Sequence, residues 1–168
     1  LKKFKNGFFL AAGRFTKQKN FIYLIKEFKK FYELYPDEKL IIIGDGELKN
    51  KMINEININK LNNNIEIFEY TNNLYSYMKK SKAFILSSLW EEVGFVIVEA
   101  ALCNSFVISS NCKNGPEEFL LNGKGGILFE SNSENKLFEC LKEFKNIKKD
   151  ELFEKKLLAK KSCFKFTM

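Results

Sequence analysis

Four stretches of the sequence carry side chains able to do chemistry. The segment GRFTKQKN sets Arg14 and Lys19 five residues apart, just after an apolar run. A guanidinium fork and a mobile ammonium converging there suit a diphosphate, although a surface arginine and a surface lysine would read the same way in isolation. The segment SSLWEEVGFVIVEAALC holds Glu91, then Gly94-Phe95-Val96, then Glu99. A helix opening at Gly94 offers free amides and the positive end of its dipole to an anion, and a glycine there lets phosphate approach the backbone. Glu99 sits between Val98 and Ala100 in an apolar run. A carboxylate in such a place costs free energy unless it meets hydroxyls or a cation, and the vicinal hydroxyls of a ribose would serve. Glu91, further out, could accept hydrogen bonds from a hexose. The plainer alternative is an acid at a helix start and one satisfied buried glutamate. Two weaker signals are Gly44-Asp45-Gly46, equally a tight turn, and NGPEEFLLNGKGG, where Glu118 falls early in a helix and a capping acid is the more ordinary role.

Composition removes several chemistries. None of the 168 residues is histidine, which excludes zinc–histidine sites, histidine-based nucleophilic catalysis and histidine pH switches within them. The three aspartates, Asp37, Asp45 and Asp150, are far apart, so a short Asp-x-Asp metal clamp is absent. The three-glycine dinucleotide fingerprint is missing after the first strand, which disfavours a nicotinamide or flavin enzyme. Cys103, Cys112, Cys140 and Cys163 match no paired-cysteine motif and are expected to be reduced thiols of a cytoplasmic protein. The longest near-apolar stretch, Val93 to Cys103, is interrupted by Glu99 and falls short of the ~20 residues of a membrane span. No signal peptide is visible. The chain begins at Leu1, so it is expected to be a piece of a longer polypeptide.

The elements that must position these groups alternate strictly. Apolar runs at Phe8–Ala12, Leu40–Ile43, Ile65–Phe68, Ala83–Leu86, Phe106–Ile108 and Ile127–Phe129 read as strands. Helices are expected at Phe21–Tyr35, Glu47–Ile56, from a cap at Asn72 or Asn73 to Lys80, Gly94–Cys103, Pro116–Leu121, and roughly 133–146 and 150–161. Six strands with helical connections predict one α/β domain over 1–168, a Rossmann-like doubly wound parallel sheet with helices on both faces. Strands apolar throughout agree, since both sheet faces are then covered. Ligands of such sheets bind beyond the carboxyl ends of the strands. That rule alone selects Gly13-Arg14, Gly44-Asp45-Gly46, Glu69-Tyr70, Ser87–Gly94, Ser109–Gly115 and Glu130.

Net charge is +7, unevenly spread: +8 over residues 1–30, −6 over the middle, +5 over residues 141–168. Basic ends suggest a cationic face where the termini meet, open to anionic lipid or a phosphorylated ligand; a solvated lysine surface is the plainer alternative. Nucleic acid is the weaker partner, because the aromatics follow core-like periodicity instead of alternating with surface lysines. All basic residues but Arg14 are lysine, which marks that arginine.

The ordered set G-R-x4-K, G-D-G, S-x-W-E-x2-G-x4-E-A and G-P-x-E, spanning Phe8 to Phe129, resembles the carboxyl-terminal, nucleotide-sugar-binding half of family 4 glycosyltransferases of the GT-B fold. The resemblance implies a retaining, metal-independent hexosyltransferase that uses a nucleoside-diphosphate sugar. Its acceptor would be lipid-linked or a saccharide, in bacterial envelope glycan synthesis. Catalytic roles fall to Arg14, Lys19 and Glu91: the two cations on the diphosphate, the carboxylate on the donor sugar. Gly13, Gly94, Phe95, Val96 and Glu99 complete the donor site, Glu99 on the ribose. Gly44, Gly46, Tyr70 and Glu118 are further candidates, with Phe68–Tyr70 beside the base. The family usually has glycine at Asn104, proline at Phe106, a small residue at Glu92 and an aromatic at Val93. It also has an amino-terminal acceptor domain, expected to precede this chain, so the fragment should bind nucleotide with little or no transfer. Peripheral contact with the inner face of the membrane is compatible with this role. A binding module of the same fold, docking anionic membrane or a polyanion through its basic ends, is the alternative.

Overall fold

The computed structural model describes residue 4 and residues 6–166. Its elements run β1 (Phe9–Ala12), α1 (Phe21–Leu34), β2 (Leu40–Ile43), α2 (Lys49–Ile58), β3 (Ile65–Phe68), α3 (Leu74–Lys80), β4 (Ala83–Leu86), α4 (Phe95–Leu102), β5 (Phe106–Ser110), α5 (Pro116–Phe119), β6 (Ile127–Phe129), α6 (Lys136–Asn146) and α7 (Lys149–Phe164). The strands form one six-stranded sheet, ordered β3-β2-β1-β4-β5-β6, with every pairing parallel. β1, β2, β4 and β5 are buried at every residue, as strands covered on both faces must be.

Two cores flank the sheet. One joins it to α1, α2 and α6 and is rich in aromatics. Phe9 meets Phe28, Phe31 and Phe144 edge-on, with ring centroids 5.5–6.2 Å apart. The helical spacing of Phe21, Leu24, Ile25, Phe28 and Phe31 puts all five on the buried side of α1. Each such side chain contributes about 1.5–3 kcal/mol by leaving water. The other core joins the sheet to α3, α4, α5 and α7.

Differences from the sequence reading are local. Asn73 precedes α3 as expected, but its side chain takes the Ser76 hydroxyl and no backbone amide. A 3-10 turn at Lys17–Lys19, not foreseen, follows β1. The lysines of α1 and α6 lie on one side of the sheet, while α7 starts beside that core through Leu152 and packs on the other through Ala159 and Cys163. Some are also committed: Lys30 to Glu27, and Lys145 to Glu38. Lys2, Lys3 and Lys5 lie outside the described residues. All four cysteines are free thiols.

Candidate active site

β1 and β4 are neighbours in the sheet, yet α1 leaves β1 toward one face and α4 leaves β4 toward the other. The loops diverge and open a crevice at this switch of strand order. Several bonds clamp the two loops together. The Leu89 amide donates to the Gln18 carbonyl at 2.8 Å. The Gln18 side-chain amide donates to the Trp90 carbonyl at 2.9 Å, and the Ser87 hydroxyl to the Lys19 carbonyl at 2.8 Å.

Lys19 Nζ lies 2.6 Å from Glu91 Oε1, and the buried Ser88 hydroxyl donates to the same oxygen at 2.5 Å. Glu91 is therefore not an outlying acid but a buried one, 7% exposed. Its partners supply the compensation that a buried carboxylate needs. Gly13 makes room for the lysine: a Cβ there would stand 3.0 Å from Lys19 Cε. Arg14 is exposed and pairs with no described carboxylate.

The glycine-rich turn after β2 packs on the same loop. A Cβ on Gly44 would overlap the Gly13 carbonyl oxygen and lie 2.9 Å from the Phe15 ring. One on Gly46 would lie 2.8 Å from the Phe15 backbone. The Phe15 amide donates to the Asp45 carbonyl and the Leu48 amide to the Phe15 carbonyl, closing the contact. The two glycines thus hold the loop that carries Arg14.

Gly94 caps α4 at φ +75°, a left-handed conformation that glycine adopts without penalty. Among the described residues no acceptor takes the Gly94, Phe95 or Val96 amides. An opening of about 350 Å³ is lined by Arg14, Gln18, Lys19 and the Glu91–Phe95 segment, Glu92 and Val93 included. A second, more apolar one of about 220 Å³ is lined by Ala12, Gly13, Ile43, Gly44, Tyr70, Leu74 and Val96. Arg14 and Lys19 border both.

Two candidates lie apart. Glu99 is one helical turn beyond Val96, half-buried, in a groove of about 300 Å³ with Tyr75, Lys79, Leu102 and Cys103. The Tyr75 hydroxyl donates to Glu99 Oε1 at 3.1 Å, and that bond holds the phenol above its ordinary pKa. Glu118 is exposed in the first turn of α5 and borders a different cavity, beside Phe119 and Lys165. Sequence reasoning missed Gln18 and Tyr75 as partners of the site. Ser88 lies in the selected Ser87–Gly94 loop and opens the S-x-W-E motif, but its bond to Glu91 was not foreseen. Among the described residues no three acidic, cysteine or histidine side chains converge, and no helix is long and apolar enough to cross a membrane.

Comparison with known proteins gives consistent results. Residues 1–156 match the family described as glycosyl transferases group 1. An uncharacterised glycosyltransferase of Methanocaldococcus jannaschii is 41% identical over 170 residues, covering 93% of this chain and 41% of its own. The Campylobacter jejuni N-acetylgalactosamine-N,N'-diacetylbacillosaminyl-diphospho-undecaprenol 4-alpha-N-acetylgalactosaminyltransferase is 33% identical over 138 residues, covering 82% of this chain and 37% of its own. The chain thus spans about two fifths of the length of these relatives. The Anabaena protein HepE, solved with UDP and glucose, superposes with a TM-score of 0.86 at 19% identity, over 98% of this chain and 45% of that one.

Proposed function

The chain belongs to the group 1 glycosyltransferases, and from that premise we propose that it is the donor-binding part of a retaining hexosyltransferase. The diphosphate of a nucleoside-diphosphate sugar lies against Arg14, Lys19 and the free amides that open α4. The sugar fills the 350 Å³ opening beside Glu91, and the nucleoside lies over Ile43, Leu74, Tyr70 and Val96. The observation that carries this reading is the place of Arg14 and Lys19, on the border between a polar and an apolar cavity. A nucleotide sugar has that layout: polar hexose, doubly charged centre, flat base.

As the bond from sugar to phosphate breaks, negative charge grows on the departing nucleoside diphosphate. Preorganised cationic and amide donors stabilise that charge more than the ground state, which lowers the barrier. This reading assigns the role to protein groups and calls for no metal ion. Glu99 takes the ribose hydroxyls, for which Tyr75 must yield or share the carboxylate. The acceptor is proposed to be lipid-linked or a saccharide of an envelope glycan, by likeness to the Campylobacter relative, whose name specifies a diphospho-undecaprenol acceptor. An amino-terminal domain of the same polypeptide would hold it, so this chain alone binds donor without transferring sugar. Calorimetry with UDP, GDP and their hexose conjugates tests the reading; absence of heat and of thermal shift across the panel would end it.

A second reading, compatible with the first, rests on α7. Phe153 is 68% exposed and Leu157 is exposed one turn on, with Lys149, Lys160 and Lys161 exposed on the same helix. Apolar side chains among lysines suit the headgroup region of an anionic bilayer. We propose that this face rests on the inner leaflet.

A further inference from the structure

We propose that Ser88 is a positioning residue that divides the two carboxylate oxygens of Glu91 between the protein and the bound sugar. The inference rests on the donor-site reading above and adds to it a role for the serine that opens the S-x-W-E motif.

The carboxylate is fixed at one oxygen only. The Ser88 hydroxyl and the Lys19 ammonium both donate to Oε1, at 2.5 and 2.6 Å. Ser88 is fully buried and is itself held in place. Its carbonyl accepts the Ser110 hydroxyl at 2.7 Å and the Ser131 hydroxyl at 3.1 Å. The Glu91 backbone is also anchored: its amide donates to the Lys113 carbonyl at 3.3 Å, and its carbonyl accepts the Asn114 side-chain amide at 3.1 Å.

No described group donates to Glu91 Oε2. Yet among the described residues no buried side-chain oxygen or nitrogen lacks a partner. Oε2 is therefore open, and the space that Glu91 lines is the 350 Å³ cavity beside Arg14. An ionised carboxylate oxygen accepts hydrogen bonds and donates none, so the ligand group that fits is a hydroxyl. A sugar supplies hydroxyls; a bare nucleoside diphosphate places phosphate there, which a carboxylate repels.

Without the serine hydroxyl, the three donors of the Lys19 ammonium can bridge both carboxylate oxygens. The carboxylate then turns toward the lysine, and Oε2 is lost to the sugar. Arg14 and the α4 amides stay as they are. Ser88 thus governs the sugar-dependent part of affinity and leaves the nucleotide-dependent part alone. A serine that merely supports the loop would affect both.

The test is calorimetric titration of this chain with UDP, UDP-glucose, UDP-galactose and UDP-N-acetylgalactosamine. The wild type should bind one of the sugar conjugates more tightly than UDP. Ser88→Ala should reduce that preference at least tenfold, keep UDP affinity within twofold, and Ser88→Thr should restore the preference. Should Ser88→Ala not fold, Ser88→Cys, with its weak thiol donor, should show the same selective loss. Equal losses for UDP and its conjugates, or no loss at all, overturn the role of Ser88. A wild type that binds UDP without preferring any conjugate overturns it too, while leaving the nucleotide site standing. A wild type blind to UDP, GDP and their sugars removes the donor site itself.

Discussion

Lys19 and Glu91 are 72 residues apart in sequence and 2.6 Å apart in the fold, Nζ to Oε1. Their pairing fastens the turn after β1 to the loop after β4 across the crevice. It also changes the electrostatics of the site. Lys19 is partly neutralised before any ligand arrives, whereas Arg14 beside it has no such partner among the described residues. On the proposed donor-site reading, the arginine is then the stronger attractor of an incoming diphosphate, and the lysine serves as a bridge between anion and carboxylate.

Arg14→Ala should consequently weaken binding of UDP or of another nucleoside diphosphate by about 1.5–3 kcal/mol, the range for hydrogen bonds to charged groups. Thermal stability should hardly move, because the side chain is exposed and substitutions at such places cost within about 0.5 kcal/mol. Calorimetry and a melting curve on the same sample separate the two effects. Equal affinity in wild type and variant would remove Arg14 from the site.

Gly44→Ala should do the reverse and act through the fold. Its methyl group would overlap the Gly13 carbonyl oxygen and press on the Phe15 ring. The loop carrying Arg14 must then shift away from β2. Overpacking and backbone strain together cost roughly 2–4 kcal/mol, measurable by urea unfolding. Nucleotide affinity should fall as well, since Arg14 moves with the loop. A variant as stable as the wild type would show that the contact can relax without cost.

Much of the fold was legible because strands covered on both faces must be apolar, and Leu40–Ile43, Ala83–Leu86 and Ile127–Phe129 match the observed strands end to end. The order of the strands in the sheet is not written in any one of them. β1 and β4 lie side by side, and that adjacency puts Lys19 on Glu91 and Ser88 beside both. Spacing along the chain could give each residue a ligand but could not show that they share one another. Tyr75 and Glu99 meet for the same reason, through packing of α3 on α4. Asn104 shows a departure that physics absorbs. The position has φ +62° just past the end of α4, and asparagine, after glycine, is the residue that tolerates this conformation.

Glu38 governs a pH response far from the site. It is 4% exposed, and its oxygens accept from Lys82 and Lys145 at 2.7 Å each. Burial alone would raise the carboxyl, but the two lysine bonds outweigh it and hold the group below its ordinary value. A carboxyl lowered in the folded state adds stability above its unfolded pKa, about 4.3, and that stability fades as pH falls through the folded value. Glu38→Gln should flatten the stability curve in that acid range and cost about 1–3 kcal/mol at pH 7. That is less than a fully buried pair would lose, since both lysines keep partial contact with water. Urea unfolding from pH 7 to pH 3 checks it. Parallel curves for wild type and variant would mean that the lysines do not lower Glu38.

Glu99 separates the two proposed surfaces. Glu99→Ala should weaken UDP binding by about 1.5–3 kcal/mol if the carboxylate takes the ribose hydroxyls. It should leave binding to vesicles of anionic phospholipid unchanged. Phe153→Ser combined with Lys149→Glu should do the opposite, because both residues are exposed on α7 and neither lines the proposed nucleotide cavities. Vesicle binding should also fall steeply between low salt and 0.5 M salt, since the screening length shrinks well below about 10 Å. Nucleotide binding should respond less, because amide donors contribute to it beside the charges. Tyr75→Phe adds a direct reading of the ribose contact. The Tyr75 hydroxyl already occupies Glu99 Oε1, so a ribose has to compete with it, and removing the hydroxyl should raise UDP affinity. If Tyr75→Phe and Glu99→Ala both leave UDP binding untouched, the groove between α3 and α4 is not where the ribose lies, and the nucleoside must sit wholly over Ile43 and Leu74.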